Sequence, residues 1–158
     1  VIVDIFPINK ATKYVGDCTR VVVNGTPTDE WRKMHAAVVA AKAAAMSATR
    51  AGTTGDAVFQ ETIRVIQQHG YAYGLPPEGA DGDYISMPHG TGHGVGLDVH
   101  EPPLVAEKGP ELLVGDAVTI EPGLYSKKFG GVRIEDMVIV TKDGCRNLNT
   151  IQEVWEWK

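Results

Sequence analysis

Cysteine is nearly absent from this chain: Cys18 and Cys145 are the only two in 158 residues, far apart and without C-x-x-C spacing. That excludes a disulfide framework and a thiolate site of zinc-finger type, and it points to a reducing, cytoplasmic setting. No run of about 18 apolar residues occurs, so no membrane-spanning helix is expected and no membrane partner is invoked. Basic residues are in deficit, 15 Lys and Arg against 20 Asp and Glu, and a net charge of −5 argues against a nucleic-acid surface. Metal cations suit such a chain better. An initiator Met and a charged-then-apolar leader are also missing. The chain opens directly on Val1-Ile2-Val3, an apolar run expected to be a buried strand, so a fragment or cleaved product of a longer protein is expected.

What is present is a composition of 43% hydrophobic and 22% charged residues, which with the length fits one globular domain over residues 1–158. Val1 to Phe6 and Thr19 to Val23 read as two strands joined by a long hairpin, with Asp4 on the first and Asp17 at the start of the second. Thr26 and Asp29 form a capping box before an Ala-rich helix from Trp31 to Arg50, stopped by Gly52. In it Met34, Val38, Ala41, Ala45 and Ala48 recur at spacings of three and four, a stripe of small residues that lets another element approach closely. A second helix is expected from Asp56 to Gln68, ended by Gly70. Tyr71 to Asp83, rich in Gly, Pro and acids, reads as a loop at the rim of a site. Beyond Ser86 the strand candidates are Val114 to Ile120, Gly131 to Thr141 and Val154 to Trp157. Strands, two helices, then strands indicate an α+β fold with helices on one face of a mostly antiparallel sheet.

The chemistry gathers late in the chain. His89-Gly90-Thr91-Gly92-His93-Gly94-Val95-Gly96, followed by His100-Glu101-Pro102-Pro103, places three of the five histidines within twelve residues. A single His on a strand is more often structural, but glycines on both sides allow close approach by backbone or ligand. Glu121 ends an apolar strand before Pro122, and Glu135 follows Gly131-Val132-Arg133-Ile134. Asp4 stands among Val1, Ile2, Val3, Ile5 and Phe6. Each acid alone is compatible with a salt bridge or a turn cap. Together, four acids and a His at strand ends suggest metal ligation, since buried carboxylates are costly unless paired or coordinated. Such donors suit Mn, Co, Fe or Zn. Two bridging carboxylates can hold two ions about 3.5–4 Å apart, an arrangement suited to hydrolysis.

Asp4 and Asp17 in D-I-F-P and G-D-C-T-R, H-G-T-G-H-G-V-G-L-D-V-H-E-P-P, T-I-E-P-G-L-Y and V-R-I-E-D resemble the motifs of the pita-bread metallopeptidases of family M24. That family includes methionine aminopeptidase, Xaa-Pro aminopeptidase, prolidase and creatinase. The resemblance runs to about Thr141 and implies a pita-bread fold, a curved sheet with helices on its outer face. It further implies that Asp4 and Glu121 each bind one of two divalent ions, with Mn expected first and Co, Zn or Fe as alternatives. His93 would share the ion held by Glu121, and Asp17 and Glu135 would bridge. His89 and His100 match pocket histidines with catalytic or substrate-positioning roles, and Glu121 would also shuttle a proton. Arg133, two residues before Glu135, resembles the Xaa-Pro-cleaving branch, where it would steady the acids or meet substrate. The implied activity is hydrolysis of the Xaa-Pro bond in dipeptides or at peptide N-termini, through a hydroxide bridging the two metals. Alternatives are removal of an N-terminal residue in the manner of methionine aminopeptidase, or a non-catalytic binding module. The family's catalytic domain has a further segment before the position of Asp4, so the chain resembles its C-terminal portion, truncated at the N-terminus. A homodimer is expected of the full-length protein.

Overall fold

The structure, a computed structural model, describes residues 1–156. The β-branched residues at the start close into a two-stranded ribbon. Strands β1 (Ile2–Ile5) and β2 (Cys18–Val21) pair antiparallel, with Asp4 opposite Thr19. Helices α1 (Asp29–Ala48) and α2 (Gly55–Gln68) follow. The remaining chain supplies β3 (Ala72–Tyr73), β4 (Ser86–Met87), β5 (Gly92–Gly94), β6 (Glu101–Val105), β7 (Ala117–Ile120), β8 (Gly123–Ser126), β9 (Gly130–Arg133), β10 (Asp136–Val140) and β11 (Cys145–Asn147). Five of these form an antiparallel sheet in the order β11-β10-β7-β5-β6. Four form a second sheet, β3-β4-β8-β9, in which only the β3–β4 pair is parallel.

The helices pack on each other and on the sheets, α1 against β7, β8 and β9 and α2 against β3 and β6. Met34, Val38, Ala41 and Ala45 of α1 are fully buried, so the small-residue stripe is the contact face. One apolar cluster joins Met34, Phe59, Ile66, Met87, Leu124 and Val132; another joins Ala45, Val58, Val105, Val118, Ile120 and Val138. Each large apolar side chain buried there contributes roughly 1.5–3 kcal/mol. The result is an α+β architecture in which the helical layer stiffens the strands whose ends carry the acids.

Several sequence expectations are corrected. The cap of α1 is Thr28, whose hydroxyl accepts the Trp31 N–H at 3.2 Å, so Thr26 and Asp29 form no capping box and Pro27 lies outside the helix. The helix ends at Ala48, before Arg50 and Gly52, because Thr49 turns extended and bonds back to Ala45 O through both its N–H and its hydroxyl. The loop after α2 begins with a short strand, β3, drawn in by β4. Residues 113–116 form a turn with Gly115 at φ +99°, and this delays β7 to Ala117. The run from Gly131 to Thr141 is two strands in two different sheets. The break falls at Ile134 and Glu135, where the Glu135 N–H leaves the ladder to donate to Thr19 O at 3.0 Å. No strand forms over 154–156, where the Trp155 ring packs on Trp31 and His35; Trp157, the end of that expected strand, lies outside the described residues. The first strand is not buried either. Val1, Val3 and Ile5 are 84%, 42% and 50% exposed, since β1 pairs only with β2 among the described residues.

Candidate metal centre

His93 sits in the middle of β5, flanked by Gly92 and Gly94. A Cβ at either glycine would collide with backbone, of Thr119 on β7 or of Glu101 and Pro102 on β6. Glycine there is what lets the central strand lie close to its neighbours while carrying the imidazole. The His93 N–H donates to Thr119 Oγ1 at 3.0 Å, and Nδ1 lies 3.0 Å from Gly94 O. Because that carbonyl can only accept, Nδ1 carries the hydrogen and Nε2 is left facing the acids. Nε2 lies 3.2 Å from Glu121 Oε1 and 3.8 Å from Asp17 Oδ2.

The acids arrive from both sides of the sheet junction. Asp17 immediately precedes β2, Glu121 follows β7, and Glu135 lies between β9 and β10. One donor atom each from Asp17, His93 and Glu135 all fall within 4.8 Å of one another, and all three residues are buried. Thr19 Oγ1 donates to Glu135 Oε2 at 2.6 Å, and Thr119 Oγ1 donates to Glu121 Oε1 at 3.2 Å. Asp4 lies at the open edge, its carboxylate bonded to Arg133 Nη2 at 2.6 Å. The guanidinium of Arg133 also reaches Tyr125 Oη at 3.0 Å, Thr19 Oγ1 at 3.3 Å and, more loosely, Glu121 Oε2 at 3.8 Å. Arg133 is thus bonded to one acid, Asp4, and lies beside a second, Glu121.

The electrostatics report crowding. Burial, then the Glu121 charge, with smaller effects from Asp17 and Asp4, pushes the Glu135 carboxyl up to about 8 despite its bond from Thr19. Burial and the neighbouring Asp4 charge also raise Asp17. Burial alone would lower the His93 imidazole, but its bonds to Glu121 and Gly94 and the charges of Glu121 and Asp17 outweigh it, and the net shift is upward. Glu121 moves the other way: burial opposes its ionisation, yet contact with His93 and the cations nearby holds it below the usual carboxylate range. Asp17 and Glu135 are thus disfavoured as anions, by burial first and by repulsion from neighbouring acids second, while Glu121 stays ionised against the His93 imidazole. Both the donor chemistry and that repulsion fit a divalent cation.

The other two histidines differ. The exposed His100 ring lies against His93, centroids 4.2 Å apart. His89 is half-buried with both nitrogens engaged, Nδ1 with Gly90 O at 2.7 Å and Nε2 with Tyr125 Oη at 2.9 Å. Tyr125 therefore accepts from Arg133 and donates to His89, linking the two. Thr19 and Thr119 stood in G-D-C-T-R and T-I-E-P-G-L-Y without a role assigned, although each lies two residues from an acid, on the same face of an extended chain. Tyr125 was visible only as part of T-I-E-P-G-L-Y. The loop expected at the rim does line a groove of about 830 Å³, from Leu75 to Asp81, whose other wall includes Tyr125.

Carboxylates and one imidazole at the strand ends of an α+β fold are the donor set of a carboxylate-rich divalent-cation site. The profile of metallopeptidase family M24 matches residues 1–142, and the chain belongs to that family. It is 37% identical over 136 residues to a Xaa-Pro dipeptidase of Pyrococcus furiosus, covering 85% of this chain and 36% of the relative. Among solved structures it is similar to the prolidase from Pyrococcus furiosus, with TM-score 0.83, 34% identity and coverage of 96% of this chain and 41% of the other. It is equally similar to an X-Pro aminopeptidase from Thermotoga maritima, with TM-score 0.83, 31% identity and coverage of 97% and 40%. The pita-bread fold is thereby established for the matched portion, and the chain spans well under half the length of these relatives.

Proposed function

We propose that this chain carries the metal centre of a two-metal peptidase that hydrolyses the Xaa-Pro bond. Asp4, Asp17, His93, Glu121 and Glu135 would hold the two ions, with Mn the first choice and Co, Zn and Fe the alternatives. The observation that carries this reading is the convergence of Asp17, His93 and Glu135 donor atoms within 4.8 Å, with Glu121 Oε1 3.2 Å from His93 Nε2. Two bound ions would supply a nucleophile at neutral pH and positive charge for the developing oxyanion.

The chain's own groups take the remaining roles. Glu121, held ionised beside His93, accepts a proton as water attacks and delivers it to the leaving imino nitrogen of proline. His100, exposed beside His93, donates from its ring to the carbonyl oxygen as charge builds there. His89 meets substrate by exchanging its contact with Tyr125. Arg133 keeps Asp4 oriented and meets the substrate from the same edge. The partner is a peptide with proline at its second position, dipeptides included.

The test is Mn-supplemented hydrolysis of Xaa-Pro dipeptides and tripeptides, with metal stoichiometry measured on the same sample and on Glu135→Ala. Turnover with about two ions per chain, both lost in the variant, is the expected outcome. A protein that binds no metal, or a variant with full metal content and full turnover, would sink the proposal.

A further inference from the structure

The five candidate ligands lie on two separately hydrogen-bonded units. Asp4 and Asp17 belong to the β1–β2 ribbon, whereas His93, Glu121 and Glu135 lie within or at strand ends of the five-stranded sheet. Beside the site these units are joined by the Asp17 N–H contact with Met137 Sδ at 3.0 Å, by the Thr19 hydroxyl on Glu135 Oε2, and by the Glu135 N–H bond to Thr19 O, 3.0 Å long. Directly behind that bond sits Arg20, only 5% exposed.

All five N–H donors of Arg20 find acceptors. Nη1 donates to Thr19 O at 2.9 Å and to Glu135 O at 2.6 Å, so one nitrogen grips a carbonyl on the ribbon and a carbonyl on the sheet. Nη2 donates to Asp136 Oδ1 at 2.6 Å and Ile151 O at 2.8 Å, and Nε donates to Gln152 O at 2.9 Å. The far side of this network is anchored to α1. Lys42 bonds both Asp136 and Glu153, and His35 Nε2 lies 2.8 Å from Glu153 O. The segment from Ile151 to Glu153 is thus a strap clamped between α1 and the guanidinium. Lys cannot reproduce this, because a single ammonium lacks the planar five-donor fork.

We propose that Arg20 is a positioning residue that sets the distance between the ribbon-borne acids and the sheet-borne ligands, with the 151–153 strap as its outer support. It touches no reacting atom. Its effect runs through the backbone of Thr19 and Glu135, the two residues whose side chains meet at the site. This inference rests on the metal reading above.

The experiment is Mn titration by calorimetry and Co(II) visible absorption on the full chain, for the wild type, Arg20→Lys and Glu153→Gln, with thermal melts as a fold check. Arg20→Lys keeps the Asp136 charge pair, and Glu153 is partly exposed, so both variants are chosen to stay folded. Arg20→Lys is expected to weaken metal binding by about 10–100-fold, the range typical of groups that orient ligands, with an altered Co(II) spectrum; Glu153→Gln is expected to weaken it a few-fold. A merely structural role would lower the melting temperature and leave affinity and spectrum of the folded protein unchanged, and that result overturns the proposal. If the wild type binds neither ion, the metal reading falls and this inference with it; two ions bound equally by wild type and Arg20→Lys overturns the inference alone.

Discussion

The hydroxyl of Thr19 lies 2.6 Å from Glu135 Oε2, across the junction between the ribbon and the five-stranded sheet. A carboxylate pushed up by burial and by neighbouring acids is there given one fixed donor, which selects its orientation.

Thr19→Val keeps the β-branched shape and removes that donor. Mn affinity is expected to fall by roughly 10-fold or more, as for other groups that orient ligands, while Thr19→Ser retains most of it. Calorimetric titration of the two variants checks this; equal affinities would remove Thr19 from the site.

Gly92→Ala places a methyl group against the Thr119 backbone, where no flexible side chain can yield. Overpacking of this kind costs about 1–3 kcal/mol, and the displaced strand carries His93 with it. Urea unfolding should show the loss of stability, and metal titration should show weakened binding in the fraction that folds.

Asp136→Asn removes the one carboxylate that two buried cations share. The Asp136 carboxylate is bonded to both Arg20 and Lys42 at side-chain exposures of 2–6%, which holds it well below the usual range even though burial opposes its ionisation. Removing one partner from a buried ionic cluster costs about 3–5 kcal/mol, far more than an exposed pair. Chemical denaturation at neutral pH measures this, and a change under about 1 kcal/mol would contradict it.

His35 supplies a pH dependence of stability. Burial against Trp31 and Trp155 holds its imidazole below 6.5 although the Glu153 carbonyl opposes the shift. A depressed folded value means the neutral form is favoured, so the contribution is complete above pH 6.5 and is lost as pH falls through the window beneath it. His35→Phe should flatten that decline. The difference between wild-type and variant urea midpoints from pH 8 to pH 5 isolates this effect from the other groups that titrate there.

Much of the site was legible in the sequence because its chemistry is local. Acids next to apolar runs, and histidines spaced by glycines, announce themselves residue by residue, and the 3.6-residue period of Met34, Val38, Ala41 and Ala45 marked the helix face that is buried. Extended runs were harder. Gly131 to Thr141 is a β-prone run broken by Arg133 and the Glu135-Asp136 pair, and it splits between two sheets where the Glu135 N–H turns to Thr19 O.

The sequence by itself determined the two helices, the ribbon, the α+β class and the identity of the acids and histidines, since propensity, period and motif are properties of neighbouring residues. Tertiary structure alone decided which of them meet. Thr19 opposite Glu135, Arg133 on Asp4, Tyr125 between Arg133 and His89, and Arg20 behind the whole junction join residues up to 129 positions apart. Such pairings depend on how sheets cross and helices pack, and no local pattern records them.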